Sequence, residues 1–198
     1  MRLANPNGGL THKQLAWHTD MSYIQAPPAY SLLHARVTPE NVPGGEDGAT
    51  DYGDMLGALA EMPPELRAKI EGRFVKHSAT HSSDGGLRRG FDEPEQAGED
   101  VPGAVHPMIR QLPQGGEALY LGRRPLGYVM DMEFEESEAL LDEVWAFCTQ
   151  PRFQYRHNWQ VGQVVCWDNR QVIHSRAEFD PGKTRTMWRT QVKGELPH

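Results

Sequence analysis

The sequence predicts a mostly β domain in which two sheets pack against each other and helices flank them. Segments rich in β-branched and aromatic residues occur near both ends of the chain, as at Tyr30–Val37 and residues 184–192. Residues 135–147 instead repeat their apolar side chains with the period of an α-helix. Histidine and aspartate residues that suit metal binding come from segments far apart in the chain, which favours a double-sheet jelly roll. At 198 residues, the chain is long enough for a single domain over residues 1–198.

Each element follows from local composition. Residues 51–73 carry helical sequence divided at Pro63-Pro64, because proline is well placed at the first turn of a helix. The expected strands are residues 17–24, Tyr30–Val37, Phe74–Ser78 and residues 118–121, 152–159, 163–173 and 184–192.

The clearest helix is residues 135–147. Leu140, Leu141, Val144 and Trp145 form one apolar stripe at helical spacing. Such a stripe indicates core packing rather than a binding site.

The last three strands are expected to be successive antiparallel neighbours. Turn signals at residues 160–162 and at Pro181-Gly182 separate them. With Pro181-Gly182 as the loop of the second hairpin, His174 would lie opposite Arg189. Arg185 would share the strand face of Arg189, about 13 Å away at ~3.3 Å per residue. One guanidinium would then lie near His174 and the other farther along the strand.

The most informative motif is His18-Thr19-Asp20, followed much later by His174. Residues two apart on a strand point the same way, so His18 and Asp20 can bind one metal ion. Two imidazoles and one carboxylate leave coordination positions open, which suits Fe(II) in an oxygenase. An isolated His-x-Asp is common by chance, and the arginines of the C-terminal segment strengthen the metal interpretation. Ligands gathered from distant strands indicate a cupin-like jelly roll.

Several motifs, in this order, resemble the taurine / 2,4-dichlorophenoxyacetate dioxygenase family (TauD/TfdA-like) over most of the chain from Trp17 onward. The segments that carry the resemblance are Trp17-His18-Thr19-Asp20-Met21-Ser22-Tyr23, Pro27-Pro28-Ala29, Pro43-Gly44-Gly45 with Thr50, Trp167-Asp168-Asn169-Arg170 to His174, and Arg185-x-Met187-x-Arg189-Thr190.

The resemblance implies an Fe(II)- and 2-oxoglutarate-dependent dioxygenase that uses O2. It assigns the iron ligands to His18, Asp20 and His174. Arg185, helped by the hydroxyl of Thr50, would bind the distal carboxylate of 2-oxoglutarate. Arg189 would lie by the proximal end of this cosubstrate and, as in some members, meet an anionic group of the substrate. The expected reaction is hydroxylation, or another oxidation by hydrogen abstraction, of a small organic substrate, with release of succinate and CO2.

The sequence departs from the family pattern in two places. Residues 46–49 separate Gly44-Gly45 from Thr50, where the family has a shorter spacing. Only residues 1–16 precede the His-x-Asp segment, where the family has a substantial N-terminal portion. We therefore expect an N-terminally truncated jelly roll with an open sheet edge, which favours association into a homo-oligomer.

Composition limits the partners. The net charge of −7 argues against nucleic acid and anionic membrane surfaces. The sequence shows neither a signal peptide nor an apolar run of membrane-spanning length, so we expect a cytoplasmic protein with a small-molecule substrate. Cys148 and Cys166 lack metal-type spacing and are expected to be buried free thiols.

Residues 77–103 are the least structured segment by composition. A long segment of this kind is expected either as a lid over the active site or as a solvated loop. His77, His81 and His106 are expected to be loop or turn residues rather than metal ligands.

Two other interpretations remain open at this stage. The short N-terminus keeps a catalytically incomplete metal-binding jelly-roll fragment under consideration. A cupin-type oxygenase that does not use 2-oxoglutarate could carry the same three ligands, although the paired arginines argue against it.

Overall fold

The computed structural model describes residues 16–39, 47–92, 101–122 and 125–198. The strands in these ranges are β1 Tyr30–Val37, β2 Thr50–Asp54, β3 Phe74–Ser78, β4 Gly103–Pro107, β5 Ile109–Gln111, β6 Glu117–Leu119, β7 Gln154–His157, β8 Val164–Asp168, β9 Val172–Arg176 and β10 Thr186–Val192. The helices are α1 Met55–Ala60, α2 Pro64–Ile70 and α3 Phe134–Cys148, and a 3-10 turn spans Pro151–Phe153.

Two three-stranded antiparallel sheets form the body of the fold. One has the strand order β10-β1-β8 and the other β7-β2-β9. Their inner faces meet at Trp167 of β8, whose ring centroid lies 5.4 Å from Tyr52 of β2 and 4.8 Å from His174 of β9. Over the described ranges, neither sheet closes into a barrel. The mostly β jelly-roll class with flanking helices is thereby confirmed.

The helices cover the outer face of the β7-β2-β9 sheet. Ile173 points from β9 into a buried apolar core that includes Met55 of α1 and Leu141 of α3. The predicted apolar stripe of α3 is buried, as expected for core packing. Strand β2 passes directly into α1, because the Asp54 carboxylate accepts hydrogen bonds from the first free N–H groups of the helix, those of Leu56 and Gly57. No helix in the described ranges is long and apolar enough to cross a membrane.

The prediction of a strand at residues 17–24 is wrong. In this segment only His18 makes a β-bridge, to His174, and a turn begins at Asp20. Met21 has a φ of 50°, in the left-handed region, and this backbone conformation ends any extended segment.

The expected arrangement of the last three strands is also wrong. A turn at residues 169–171 divides the predicted strand 163–173, and the two parts enter different sheets as β8 and β9. The turn at Asp180 forms as predicted, with Lys183 N donating to Asp180 O, but it connects β9 to a strand of the opposite sheet. His174 is therefore the Cα partner of Tyr52, not of Arg189. Because β9 and β10 lie in different sheets, their inner faces point toward each other instead of lying side by side.

The segment 77–103 is not a loop throughout, because both of its ends belong to strands. His77 belongs to β3 and Gly103 begins β4, and these two strands pair across the connection. His77 and His106 are thus buried strand residues, so their assignment to loops or turns is wrong. His81 is also buried, and forms a single β-bridge with Leu87. Residues 93–100 of this segment lie outside the described ranges.

The two cysteines differ in exposure. Cys148 is buried at the end of α3, as expected, whereas Cys166 is exposed. Cys166 lies on the outer face of β8 together with the exposed Val164, while Trp167 between the sheets is buried. The expectation of a second buried thiol is wrong because an apolar strand at a sheet surface alternates its burial.

Candidate metal centre

The structure brings His18, Asp20 and His174 together. One ligand atom from each lies within 4.8 Å of the other two. Asp20 Oδ1 is 3.6 Å from His174 Nε2 and 3.9 Å from His18 Nε2. The backbones of His18 and His174 exchange two hydrogen bonds, of 3.0 and 2.9 Å, which hold the two imidazoles side by side. A single reciprocal bridge thus replaces the strand that the sequence predicted.

The tautomer of His18 suits metal binding. Its Nδ1 lies 2.7 Å from the carbonyl oxygen of Ala16. A carbonyl can only accept, so Nδ1 carries a proton, and Nε2 is the ring nitrogen that faces Asp20 and would bind a metal ion.

The two oxygens of the Asp20 carboxylate have different partners. Oδ2 accepts hydrogen bonds from Ser31 Oγ at 2.6 Å and from Gln191 Nε2 at 3.2 Å. Oδ1 faces the two histidines and lies 2.9 Å from Arg189 Nη2. Oδ1 therefore faces the two histidines and is paired with Arg189, while Oδ2 fixes the orientation of the carboxylate.

Asn169 fixes the backbone on both sides of Asp20. Its Oδ1 accepts from Asp20 N at 2.9 Å, and its Nδ2 donates to Asp20 O at 3.0 Å and to Pro28 O at 2.9 Å. The Trp167-Asp168-Asn169-Arg170 and Pro27-Pro28-Ala29 motifs meet at this contact. They act together to position a candidate metal ligand, a role that sequence analysis did not identify.

The charge balance keeps Asp20 ionised. Burial acts to raise the pKa of this carboxyl, but nearby His174 and Arg189 outweigh burial and hold the pKa below its usual value. His18 and the hydrogen bond from Ser31 add to this effect. A buried carboxylate beside two imidazoles is a favourable place for a divalent metal ion, whose charge would replace that of Arg189 at Oδ1.

A second set of polar groups lies at Thr50, on β2. Arg185 Nη2 is 3.5 Å from Thr50 Oγ1, and Arg185 Nε donates to Gly48 O at 3.0 Å. Trp159 Nε1 also donates to Thr50 Oγ1, at 2.9 Å. We call the site formed by these four residues the Thr50–Arg185 pocket.

Gly48 allows the close approach in this pocket. Its φ is 69°, and a Cβ there would lie 2.9 Å from Arg185 Cδ. Burial, and then the charge of Arg176, lower the pKa of Arg185 to about 10, so it remains a cation at neutral pH. The pocket therefore presents a partly buried positive charge. Residues 43–45, whose glycines supported the resemblance, lie outside the described ranges.

The two arginines lie apart, as the sequence predicted. The strand pairing that separates them is different, because β10 pairs with β1 and not with β9. Arg189 contacts Asp20, and it is the Cα partner of Leu33 on β1. Arg185 precedes β10 and contacts Thr50 on the opposite sheet. One guanidinium thus lies at the candidate metal centre and the other in the Thr50–Arg185 pocket.

Sequence analysis missed two residues between these sites. Tyr52 is the Cα partner of His174, and Arg176 is the Cα partner of Thr50. Both are buried on the inner face, and burial raises the pKa of Tyr52 above its usual value. The signal that could have found them is the strand period of two, since Tyr52 follows Thr50 by two positions and Arg176 follows His174 by two.

The donor set fits an iron centre. Two neutral imidazoles and one carboxylate, with open positions, are typical of non-haem Fe(II) oxygenases. A family model described as "Taurine catabolism dioxygenase TauD, TfdA family" matches residues 2–191, and the chain belongs to this family.

Its relatives include the α-ketoglutarate-dependent 2,4-dichlorophenoxyacetate dioxygenase of Burkholderia sp. (strain RASC). The two are 32% identical over 179 residues, which cover 90% of this chain and 58% of that protein. The chain thus spans less than two thirds of the length of this curated relative.

Solved structures show the same fold. AAD-2, crystallised with Mn(II) and N-oxalylglycine, is similar with a TM-score of 0.78 and 31% identity, over 92% of this chain and 69% of that one. A taurine dioxygenase from Burkholderia xenovorans is similar with a TM-score of 0.73 and 29% identity, over 92% of this chain and 58% of that one.

Proposed function

We propose that this protein is an Fe(II)- and 2-oxoglutarate-dependent dioxygenase that oxidises a small organic substrate and releases succinate and CO2. The observation that carries the proposal is that two complementary sites lie in the space between the sheets. One is a metal-type triad, and the other is a cationic pocket suited to a carboxylate. Relatives named as α-ketoglutarate-dependent dioxygenases support it.

The residues divide into two roles. His18, Asp20 and His174 would hold Fe(II), and Arg185 with Thr50 would bind the distal carboxylate of 2-oxoglutarate. Arginine suits this role because its planar fork can bind a carboxylate through two hydrogen bonds. When bound, iron, 2-oxoglutarate and O2 supply the oxidising chemistry; the protein supplies binding, orientation and electrostatics.

The substrate is proposed to be a small anion. Arg189 supports this, because its side chain is 45% exposed while its Nη2 lies at the buried Asp20 carboxylate. A cation that is partly exposed beside the metal centre favours a negatively charged group on the substrate.

Residues 77–103 are proposed as a lid. Part of this segment already contacts the metal-binding segment. Ala16 N donates to Ser83 O at 2.8 Å, and Arg88 Cζ lies 3.8 Å from the ring centroid of Tyr23. Closure over a bound substrate would exclude water from the reaction. A single domain over residues 1–198 and a cytoplasmic location likewise stay predictions.

The test is anaerobic addition of Fe(II) and then 2-oxoglutarate, followed by visible absorption. We expect an iron-to-2-oxoglutarate charge-transfer band, which Asp20→Ala removes and Asp142→Ala, at an exposed position of α3, preserves. Fe(II) binding with no such band would favour a metal-binding module or an oxygenase that does not use 2-oxoglutarate. No Fe(II) binding at all would contradict the proposal.

A further inference from the structure

Arg176 lies beside the Thr50–Arg185 pocket. It is the Cα partner of Thr50 across the β2-β9 pair, and directly opposed residues of an antiparallel pair project from the same face. It also follows His174 by two positions on β9, so it shares the inner face with this candidate ligand. Arg176 and Arg185 therefore both neighbour Thr50, Arg176 as its strand partner and Arg185 through the contact of its Nη2 with Thr50 Oγ1.

Arg176 is buried and Arg185 is half-buried. Arg176 is 8% exposed, and its Cζ lies 4.9 Å from the ring centroid of Phe179. Burial lowers the pKa of Arg176, and the charge of Arg176 in turn lowers the pKa of Arg185. Two like charges that are buried or half-buried and act on each other are costly, and an anion between them would offset the cost.

Among the described residues, the carboxylate of Asp84 in the segment 77–103 also acts on Arg176. The Asp84 side chain is already bound locally: it accepts hydrogen bonds from Ser82 Oγ and, at 3.0 Å, from Gly86 N. Asp84 is exposed, whereas Arg176 is buried. Asp84 therefore acts on Arg176 from the segment 77–103 and not from the Thr50–Arg185 pocket.

We propose that Arg176 is a second cation of the carboxylate site, so that the distal carboxylate of the cosubstrate is bound by Arg176, Arg185 and Thr50 together. The inference rests on the proposed function, because it deepens the assignment of 2-oxoglutarate. It makes Arg176 a determinant of the preference for 2-oxo acids that end in a second carboxylate.

The experiment measures dissociation constants of the Fe(II)-loaded protein without O2. The two ligands are 2-oxoglutarate and 2-oxopentanoate, which has the same carbon chain but no distal carboxylate. Arg176→Gln should weaken 2-oxoglutarate binding about tenfold or more, as expected for a lost charge-assisted contact, and leave 2-oxopentanoate binding unchanged. Arg176→Lys, which keeps the charge but not the fork, should lie between wild type and Arg176→Gln.

Two controls separate this role from others. Arg36→Gln makes the same charge change on the outer face of β1 and should leave both constants unchanged. Asp84→Asn should not reproduce the effect of Arg176→Gln. The inference is overturned if Arg176→Gln leaves 2-oxoglutarate binding intact, weakens both ligands equally, or is matched by Asp84→Asn. If wild type itself fails to bind 2-oxoglutarate, the proposed function fails first, and the inference fails with it.

Discussion

The Asp20 carboxylate shows how single residues prepare this site. One oxygen is directed at the histidines, and the other is held by Ser31 and Gln191. Gln191 also donates to Ser31 Oγ at 3.1 Å, so its amide binds both the carboxylate and the other partner of the carboxylate. Groups that orient a metal ligand in this way commonly change metal affinity by about 10- to 100-fold when removed.

We therefore expect Gln191→Leu to weaken binding of Mn(II) or Fe(II) by about tenfold. The substitution keeps the side-chain volume but leaves Oδ2 of Asp20 with Ser31 as its remaining side-chain donor. Isothermal titration with Mn(II) measures the effect. Thr190→Val, on the outer face of the same strand, is the control and should bind Mn(II) like wild type. Equal Mn(II) affinity in Gln191→Leu and wild type would rule out the orienting role.

Arg185 gives a second prediction at this scale. Arg185→Lys keeps the charge but loses the planar fork and the contacts to Gly48 O and Thr50 Oγ1. We expect 2-oxoglutarate to bind about tenfold more weakly, with a larger loss in Arg185→Ala, while Mn(II) affinity stays unchanged. The charge-transfer titration and Mn(II) calorimetry supply the two constants. Unchanged 2-oxoglutarate affinity in both variants would place the carboxylate site elsewhere.

At the scale of elements, side chains alternate between the two faces of a strand, and a helix buries one of its faces. These two features decide which side chains reach solvent. Cys166 lies on the outer face of β8, whereas Cys148 is enclosed at the end of α3. Burial raises the pKa of the Cys148 thiol from 9.0 to about 12, so this thiol stays protonated in the folded protein.

We expect iodoacetamide at pH 8 to modify Cys166 alone in the native protein, and both cysteines after unfolding in urea. Mass spectrometry of the peptides identifies the sites. Between about pH 9 and pH 12, the unfolded chain loses the Cys148 proton whereas the folded chain keeps it. The free energy of unfolding therefore falls as pH rises through this range. Rapid native modification of Cys148 would show that the end of α3 opens readily.

At the scale of the whole molecule, the site exists only where the two sheets face each other. Arg189 and Gln191 come from one sheet, His174 and Thr50 from the other, and Asp20 from a turn between them. The pairing of strands in the sheets, and not their order along the chain, therefore brings these residues together.

The sheets also leave exposed apolar residues at their margins. Tyr155 lies on β7 and Val164 on β8, both at sheet edges over the described ranges, and they are 62% and 58% exposed. Open edges with apolar side chains favour association between chains. We expect sedimentation velocity to show a concentration-dependent increase in mass, which Val164→Lys reduces. Asp142→Lys, on the exposed face of α3, is the control. A single species of monomer mass at high concentration would contradict this expectation.

The sequence by itself predicted the candidate metal ligands and much of the local structure. The His-x-Asp motif, the distant histidine and the two arginines predicted the triad and the separate site at Arg185. Tyr30–Val37 and Phe74–Ser78 form strands with the predicted bounds, and the α3 stripe is buried. These features depend on residue type and short-range periodicity, which the sequence shows without any long-range contact.

Only the tertiary structure decided how these parts meet. Local turn rules placed β9 and β10 in one hairpin, but each pairs with a strand from the first third of the chain. The two strands lie in opposite sheets, so their inner faces pack toward each other across the space between the sheets, which a hairpin within one sheet would not allow. The same long-range pairing sets Arg176 beside Thr50, and turns an extended His-x-Asp segment into one bridge held by His174 and Asn169. Such contacts join residues more than a hundred positions apart, and spacing along a single sequence does not encode them.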